Sequence, residues 1–519
     1  MKKYIPHLIV FVSSMGVMIV ELAASRIISK YFGNSLYTWT GVIGIVLGGI
    51  SLGNYIGGRL ADRYRPRALV RPLLLVSAVL VVAVLVLDTG LQAVLSGGNP
   101  EITWNFLART VAGIAVLFLL PASALGTISP VMAKYALEET GRIGATVGNI
   151  YAVSSIGSIV GTFLSGFVLI PLLGTRTIIL VVSAALAALT FLAGGKRRYG
   201  AAAAGILAVL LAASVLLPGA AERPAPDAAD PKPGTETVLY RKDTRYSNLT
   251  VKDIRRSGGT ERVLIMDGLI HNRYDPADPD ILLYEYERIF RVLTEHLNEG
   301  LDSGLRTLTI GGGALTFPYY LERHFDPAEN VVVELDPEVI EIAHRWFDVP
   351  RDTGMRTVAT DGRSWVAYAA GEDRQFEIVY LDAFSSFSIP YHLTTMEFTR
   401  SVSRILAPDG LVLANCIDIF SVGKFLSAYL NTVRAVFPEV AVYVTPNTSF
   451  EHRATFVIAA TPKGPLPERL ADRSGTVQAI RVTEKRLDEL AARNGAVVLT
   501  DSYAPVENLI APVFLRSVQ

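Results

Sequence analysis

The chain is poor in cysteine, in charge, and in any excess of one sign. A single cysteine, Cys416, excludes an intrachain disulfide and a cysteine-based zinc site. With 48 basic and 48 acidic residues the net charge is zero. No basic stripe of the kind that binds nucleic acid is therefore expected. Seven scattered histidines point to no metal site. There is no GxxxxGK[ST] run and no full GxGxxG, which leaves little support for a nucleotide-phosphate site. Only 18% of the 519 residues are charged, against about 25% in ordinary soluble proteins.

That deficit is local. Residues 1–218 are mostly apolar, and residues 237–519 have ordinary soluble composition. A membrane-spanning helix needs roughly 20 apolar residues. Stretches of that kind lie at about 5–29, 37–60, 72–95, 105–130, 145–170, 176–194 and 200–218. The expected architecture of residues 1–218 is thus an α-helical, multi-pass membrane domain of about seven helices. The first stretch is read as a retained helix and not a cleaved signal. Small residues such as Gly41, Gly44, Gly48, Gly157 and Gly161 suit close helix packing in lipid. Glu21 and Arg26, near the end of the first stretch, are expected to pair with each other or to mark a functional site.

Loop charge sets orientation. Lys2, Lys3, Arg63, Arg65, Arg67, Arg71, Lys134, Arg142 and Lys196–Arg198 fall on alternate loops, which puts the N-terminus in the cytoplasm. Seven crossings would then leave the C-terminal half outside the cell membrane. Two escapes exist. Residues 105–138, broken by Pro121 and Pro130, cross twice, or 200–218 does not cross.

Residues 219–236 are rich in Pro, Ala and Asp and read as a linker. Residues 237–273 carry short alternating runs broken by Ser257-Gly258-Gly259, the pattern of a small antiparallel sheet. Residues 274–519 follow as a third region. From 305 onward strands alternate with helices: LRTLTIGGG, VVVELD, RTVATDG and FEIVYLDAF each end in glycines or an acid. That grammar predicts an α/β Rossmann-like fold with a parallel sheet, whose ligands bind beyond the carboxyl ends of the strands.

The residues at those ends define the candidate site. Gly311, Gly312 and Gly313 let the backbone approach a ligand closely. Glu334, about 20 residues on, suits both hydroxyls of a ribose. Asp361, with Gly362, suits an exocyclic amino group such as that of adenine. Asp382 suits a base or the holder of a cation. The plain alternative is that each acid caps the helix that follows. Three consecutive strands ending in this way favour an adenosine pocket for a ligand without phosphates.

These features, in this order, resemble the spermidine synthase (polyamine aminopropyltransferase) family over about residues 237–420. The carrying runs are LIMDGLIH at 264–271, IGGG at 310–313, VELDPEVIEIA at 333–343, TDGRSW at 360–365 and YLDAF at 380–384. The runs FGNSLYTWTGVIGIVLGGISLG, GNIYAVSSIGSIVGTFLSGFVLIPLLG and LTDSYAPVENL are similar to membrane-fused members. The resemblance implies an S-adenosylmethionine-dependent transferase fold with no tightly bound cofactor. S-adenosylmethionine, or its decarboxylated form, would be the co-substrate, and methylthioadenosine would be released as the aminopropyl group passes to a polyamine. It implies that Glu334 binds the ribose, Asp361-Gly362 and Pro390 the adenine, and that Asp382 accepts a proton. Ser247, Tyr284, Glu285, Ser385 and Asp501 are the matching candidates for substrate binding. Expected partners are the small-molecule substrate and the lipid bilayer, with a homodimer as one form of assembly and the catalytic region in the cytosol.

The sequence also departs from the family. Ala314 stands where the family carries an acid after its glycines, and Ser385 where it carries a second acid. Three alternatives follow. The chain cleaves S-adenosylmethionine to methylthioadenosine without a polyamine, or is a methyltransferase of the same fold, or is a transporter or sensor that only binds a nucleoside.

Overall fold

The computed structural model describes residues 4–32, 36–96, 106–193, 199–206, 234–299, 301, 304–384 and 389–516. The chain divides into two compact units. One takes Met1–Glu222 together with Tyr240–Asn248, and the other takes Arg223–Leu239 and Leu249–Gln519.

Among the described residues of the first unit, six helices are long and apolar enough to cross a membrane. They are α1 Ile5–Ser29, α2 Leu36–Arg63, α3 Pro66–Leu91, α4 Ala108–Thr140, α5 Ile143–Leu169 and α6 Leu172–Leu192. Together they give a multi-pass membrane topology. The count differs from the expected seven because most of the last apolar stretch, 207–218, lies outside the described residues. The 105–138 region does not cross twice. Pro121 sits in the first turn after a π-helical segment at Ala115–Leu119, where its missing N–H costs no ladder bond. Pro130 likewise falls in the first turn of Ile128–Thr140, so both prolines are absorbed within one span.

Packing inside this unit is close because small residues line the contacts. A Cβ on Gly157 would lie 2.4 Å from the Phe11 carbonyl oxygen. Only glycine lets α5 come that near α1, and the Ser14 and Ser154 hydroxyls meet at 2.8 Å along the same seam. Glu21 and Arg26 do not form the expected pair. Arg26 donates instead to the backbone carbonyls of Tyr246, at 2.7 Å, and Arg245, which cluster with this unit. Glu21 and Arg26 are five residues apart and so lie about 140° around a helix from each other, on different faces.

Two sheets follow the helices along the chain. The small one has the order β1–β2–β3–β4, with β1 Glu236–Asp243, β2 Asn248–Arg256, β3 Gly259–Met266 and β4 Leu269–Tyr274. Arg256 pairs with Gly259, so Ser257 and Gly258 form the turn of the β2–β3 hairpin. The large sheet has nine strands in the order β12–β13–β10–β11–β9–β8–β5–β6–β7. Its parallel part comprises β5 Arg306–Ile310, β6 Glu329–Glu334, β7 Arg356–Ala359, β8 Phe376–Leu381 and β9 Leu406–Asp418. These strands are near-continuous apolar runs, such as Val331, Val332 and Val333 in β6, because helices cover both faces.

The sheet is mixed, not purely parallel. Beyond β9 it continues antiparallel through β11 Ala454–Thr461, β10 Glu439–Val444, β13 Val477–Arg481 and β12 Arg469–Ala471. Pairs β10–β11 and β12–β13 are each joined without a helix, and short connections enforce antiparallel pairing. Among the described residues eight helices pack about the sheet: α7 Glu285–Asn298, α8 Thr316–Phe325, α9 Pro337–Trp346, α10 Gly362–Gly371, α11 Met396–Arg404, α12 Phe425–Arg434, α13 Glu484–Asn494 and α14 Val506–Arg516. Helix α7 buries Tyr286, Ile289, Phe290 and Leu293, spaced three and four apart, against Tyr380 of the sheet. Each such side chain contributes about 1.5–3 kcal/mol when fully buried.

Candidate functional site

Strands β5, β6, β7 and β8 all end at one edge of the parallel sheet, and their tips build the candidate active site. The chain leaves β5 through Gly311, whose φ is +90° and whose amide donates to the Val333 carbonyl at 2.8 Å. A Cβ there would lie 2.6 Å from both the Ala383 Cα and the Asp382 carbonyl oxygen. Backbone meets backbone at this point, so only glycine fits. Gly312 follows, and its amide donates to Glu334 at 3.0 Å. Gly313 turns the chain toward β4, near the His271 carbonyl and the Asn272 side chain.

Glu334 is buried, with Oε2 accepting from Gly312 N and Oε1 from Asp336 N, both at 3.0 Å. Burial pushes its carboxyl above the usual range, against the pull of these amides. It is not the helix cap. That task falls to Asp336, which accepts from Glu338 N at 3.0 Å. The Glu334 carboxylate therefore ties the glycine turn to the strand end and keeps lone pairs to offer a ligand. The next residue, Leu335, is 42% exposed, an apolar face at the strand tip that sequence reasoning did not single out.

Asp361 does cap a helix. Its Oδ1 accepts from Ser364 N at 2.9 Å, and its Oδ2 meets His392 Nε2 at 2.9 Å. Partial burial raises its carboxyl, but the Ser364 and His392 hydrogen bonds outweigh that and hold it below the ordinary value. Gly362 begins α10, where a Cβ would meet Ile310 at 2.5 Å. Pro390 is half-buried just before the Tyr391–Leu393 turn, whose Leu393 amide bonds the Pro390 carbonyl at 2.9 Å.

Asp382 ends β8 and caps no helix. Tyr286 Oη donates to its Oδ2 at 2.7 Å, and Asn415 Nδ2 to its Oδ1 at 2.8 Å. Burial pushes its carboxyl up to about 7, opposed by those two hydrogen bonds. Beside it Glu287 is buried, and its carboxyl is raised to about 8, first by burial and then by the charge on Asp382. Neither Tyr286 nor Asn415 was expected beside Asp382, because each lies on an element far along the chain from it. The strand pattern of LVLANCI, with one polar side chain inside an apolar run, was the available signal for Asn415.

The remaining candidates scatter. The Tyr284 ring meets that of Tyr286 in a tilted contact, with centroids 5.4 Å apart, and its hydroxyl donates to the Ile270 carbonyl. Glu285 is half-buried at the start of α7. Asp501 is held by Arg363, with one contact at 2.7 Å, and its amide bonds Glu397. Arg363 also donates to the His392 carbonyl at 3.1 Å, so the Asp501 carboxylate is engaged in fastening loops. Ser247 lies in the β1–β2 turn that clusters with the first unit, bonded through its backbone to Thr244. Ser385 lies outside the described residues. Asp418, another acid at a strand end, accepts from the Ile419 and Leu426 amides and serves as a cap.

Among the buried polar atoms that lack a hydrogen-bond partner are Asn415 Oδ1, on the side chain that bonds Asp382, and Asn272 Oδ1, on the side chain near Gly313; His271 Nε2, one residue before Asn272, is another. Burial holds the His271 imidazole neutral, pushing it down to about 4. Buried polar groups are rarely left unpaired, and such orphans gather where a ligand completes the bonding. Among the described residues, no three His, Cys, Asp or Glu side chains gather as a metal site.

Known proteins similar to this chain include polyamine aminopropyltransferases and also methyltransferases, among them the N-terminal histidine N-methyltransferase of Emericella nidulans, 29% identical over 160 residues, 30% of this chain and 28% of that protein. Residues 293–466, about one third of the chain, match the family described as the spermine/spermidine synthase domain. The polyamine aminopropyltransferase of Vibrio vulnificus is 26% identical over 210 residues, covering 39% of this chain and 69% of that protein. A probable polyamine aminopropyl transferase of Bifidobacterium longum is 27% identical over 229 residues, 40% of this chain and 49% of that protein. The chain thus spans only about half the length of the latter. The crystal structure of a probable spermidine synthase from Corynebacterium glutamicum covers 50% of this chain and 95% of its own, at 24% identity and a TM-score of 0.43. The C-terminal part of the chain is thus similar to spermidine synthases, and it follows an N-terminal region of long apolar helices.

Proposed function

We propose that the second unit binds S-adenosylmethionine or its decarboxylated form and transfers an alkyl group, aminopropyl in the decarboxylated case, to an amine, releasing methylthioadenosine at the membrane. The observation that carries this reading is the clustering of Glu334, Asp361 and Asp382 at neighbouring strand tips around a glycine turn, with Asp382 poised near neutrality. The sequence carries no GxxxxGK[ST] run beside them, which suits a nucleoside and not a nucleotide.

In this reading Glu334 accepts from the ribose hydroxyls. Asp361 accepts from the adenine amino group, and Leu335 and Pro390 offer apolar faces to the ring. The amine arrives as an ammonium and gives one proton to Asp382. Its lone pair then attacks the carbon bonded to sulfur. The new C–N bond forms as the C–S bond breaks, the electron pair stays on sulfur, and the sulfonium becomes a neutral thioether. The positive charge leaves on the alkylated ammonium, and Asp382 returns its proton to solvent. Tyr286 and Asn415 orient the carboxylate, and a base with a pKa near the working pH is the most effective.

The test is binding and product analysis on the full chain in detergent. Methylthioadenosine is expected to bind, and Glu334→Gln to weaken it by at least tenfold. Equal affinity of the two forms would remove the ribose assignment. S-adenosylhomocysteine in place of methylthioadenosine among the products would identify a methyltransferase instead.

A further inference from the structure

A chain of hydrogen bonds ties Asp361 to the C-terminal segment. An ionised carboxylate only accepts hydrogen bonds, and each of its oxygens has about two positions for a donor. On Asp361, Oδ1 has both filled, by Ser364 N at 2.9 Å and Ser364 Oγ at 3.0 Å. Oδ2 meets His392 Nε2 at 2.9 Å. Since the carboxylate cannot donate, that ring nitrogen carries the hydrogen. Ser364 thus holds one oxygen and His392 the other, and together they set the plane of the carboxylate. One accepting position is left on Oδ2, and the imidazole fixes where it points.

His392 is itself held in place. Its carbonyl accepts from Arg363 Nη1 at 3.1 Å, and the Arg363 guanidinium grips both carboxylate oxygens of Asp501, with Nη1 at 2.7 Å. Arg363 stands two residues after Asp361 in the first turn of α10, so one helix start presents both the acceptor and its anchor. Asp501 belongs to a short C-terminal run that is zipped onto the start of α11. The Leu499 carbonyl accepts from Met396 N at 2.8 Å, and the Asp501 amide donates to Glu397 at 3.0 Å. The Arg363 and Asp501 side chains are 31% and 45% exposed. An ion pair so open to water adds little to the stability of the fold. What the two-pronged geometry supplies is direction.

Resting on the adenosine reading above, we propose that His392, fixed by Arg363 and Asp501, is a positioning residue through which Asp361 selects a 6-amino purine over a 6-oxo purine. A 6-amino group donates to the one accepting position left on Asp361. A 6-oxo group turns a lone pair toward a carboxylate that can only accept, and two acceptors form no hydrogen bond. Without the imidazole, water takes the vacated place on Oδ2 and the direction of the remaining acceptor is lost. Without Asp501, Arg363 is released from the C-terminal run, and the His392 carbonyl loses a fixed anchor. The C-terminal segment therefore takes part in base recognition through two other side chains.

The experiment is calorimetry on the full chain in detergent, with methylthioadenosine and with methylthioinosine, which differ only in the 6-amino and 6-oxo groups. The unaltered chain is expected to prefer methylthioadenosine by about tenfold or more. His392→Ala and Asp501→Ala are each expected to cut that preference at least threefold, by weakening methylthioadenosine and sparing methylthioinosine, at an unchanged melting temperature. A preference that survives both substitutions overturns the proposal. Equal weakening of the two ligands also overturns it, since that is what a general loosening of the fold would give. If His392→Ala does not fold, Asp501→Ala, at an exposed carboxylate, decides. Binding of both nucleosides alike by the unaltered chain removes the selection by Asp361 and leaves the nucleoside site standing. Binding of neither sinks the adenosine reading and this proposal together.

Discussion

At the scale of single residues, Asp382 joins catalysis to stability with opposite signs. Its unfolded value is about 3.9, and in the folded chain burial lifts it to about 7. A carboxyl raised in this way favours the fold when protonated. Its contribution is fully present below about pH 4 and is lost as pH rises through 7. Activity needs the opposite form, the free carboxylate. We therefore expect kcat/KM for alkyl transfer to rise with pH and level off above about 7. Asp382→Asn should lower kcat by about 10²–10⁴-fold while stabilising the chain at pH 8 on the order of 1–3 kcal/mol. Thermal unfolding of both forms at pH 5 and pH 8 checks the second half: the gain should shrink at pH 5. An equal gain at both values would mean that Asp382 is not the strained group.

The strand-tip acids were legible in the sequence because strand ends are marked by abrupt changes from apolar runs to Gly, Asp or Glu. Their partners were not. Nothing local says that Tyr286 of α7 and Asn415 of β9 converge on Asp382, since that depends on which strands become neighbours. Glu287 also illustrates the limit. Glu285 and Glu287 look alike in YEYER, and the sequence alone does not phase the first turn of a helix. Only packing decides that Tyr286 and Glu287 face inward.

At the scale of elements, the β5–Gly311–α8 connection is the rigid part of the site. Two backbone segments touch at Gly311, and its φ of +90° is strained for any other residue. Gly311→Ala must push β5 and β8 apart at the very point where Asp382 is presented. The expected result is a loss of about 2–4 kcal/mol in stability, read as a lower melting temperature, with methylthioadenosine binding weakened as well. An alanine variant as stable as the native chain would show that the two strand ends can separate without cost. The same scale shows why the antiparallel extension of the sheet escaped notice. AVYVTP and ATFVIAAT are plain apolar runs, and such runs do not reveal whether the neighbouring strand is parallel or antiparallel.

At the scale of the whole molecule, an even number of crossings changes the argument about sidedness. The distribution of loop charges leads one to expect Lys2 and Lys3 in the cytoplasm. Six spans return the chain after Leu192 to the side on which it began. If the N-terminus is cytoplasmic, as the loop charges lead one to expect, six spans put the basic run Lys196-Arg197-Arg198 on the same side as Lys2 and Lys3, as the charge rule asks. The remaining question is whether the apolar stretch 200–218 crosses. Adenosyl sulfonium ligands are made in the cytosol, and a catalytic unit on the far side would have none to bind. We therefore expect a fluorescent protein fused after Gln519 to fluoresce and an alkaline phosphatase at the same place to stay inactive. A phosphatase inserted between residues 97 and 105, after three of the six spans, should be active. An active phosphatase at the C-terminus would mean a seventh crossing. It would remove the substrate from reach and leave the alkyl-transfer reading without a supply of its co-substrate.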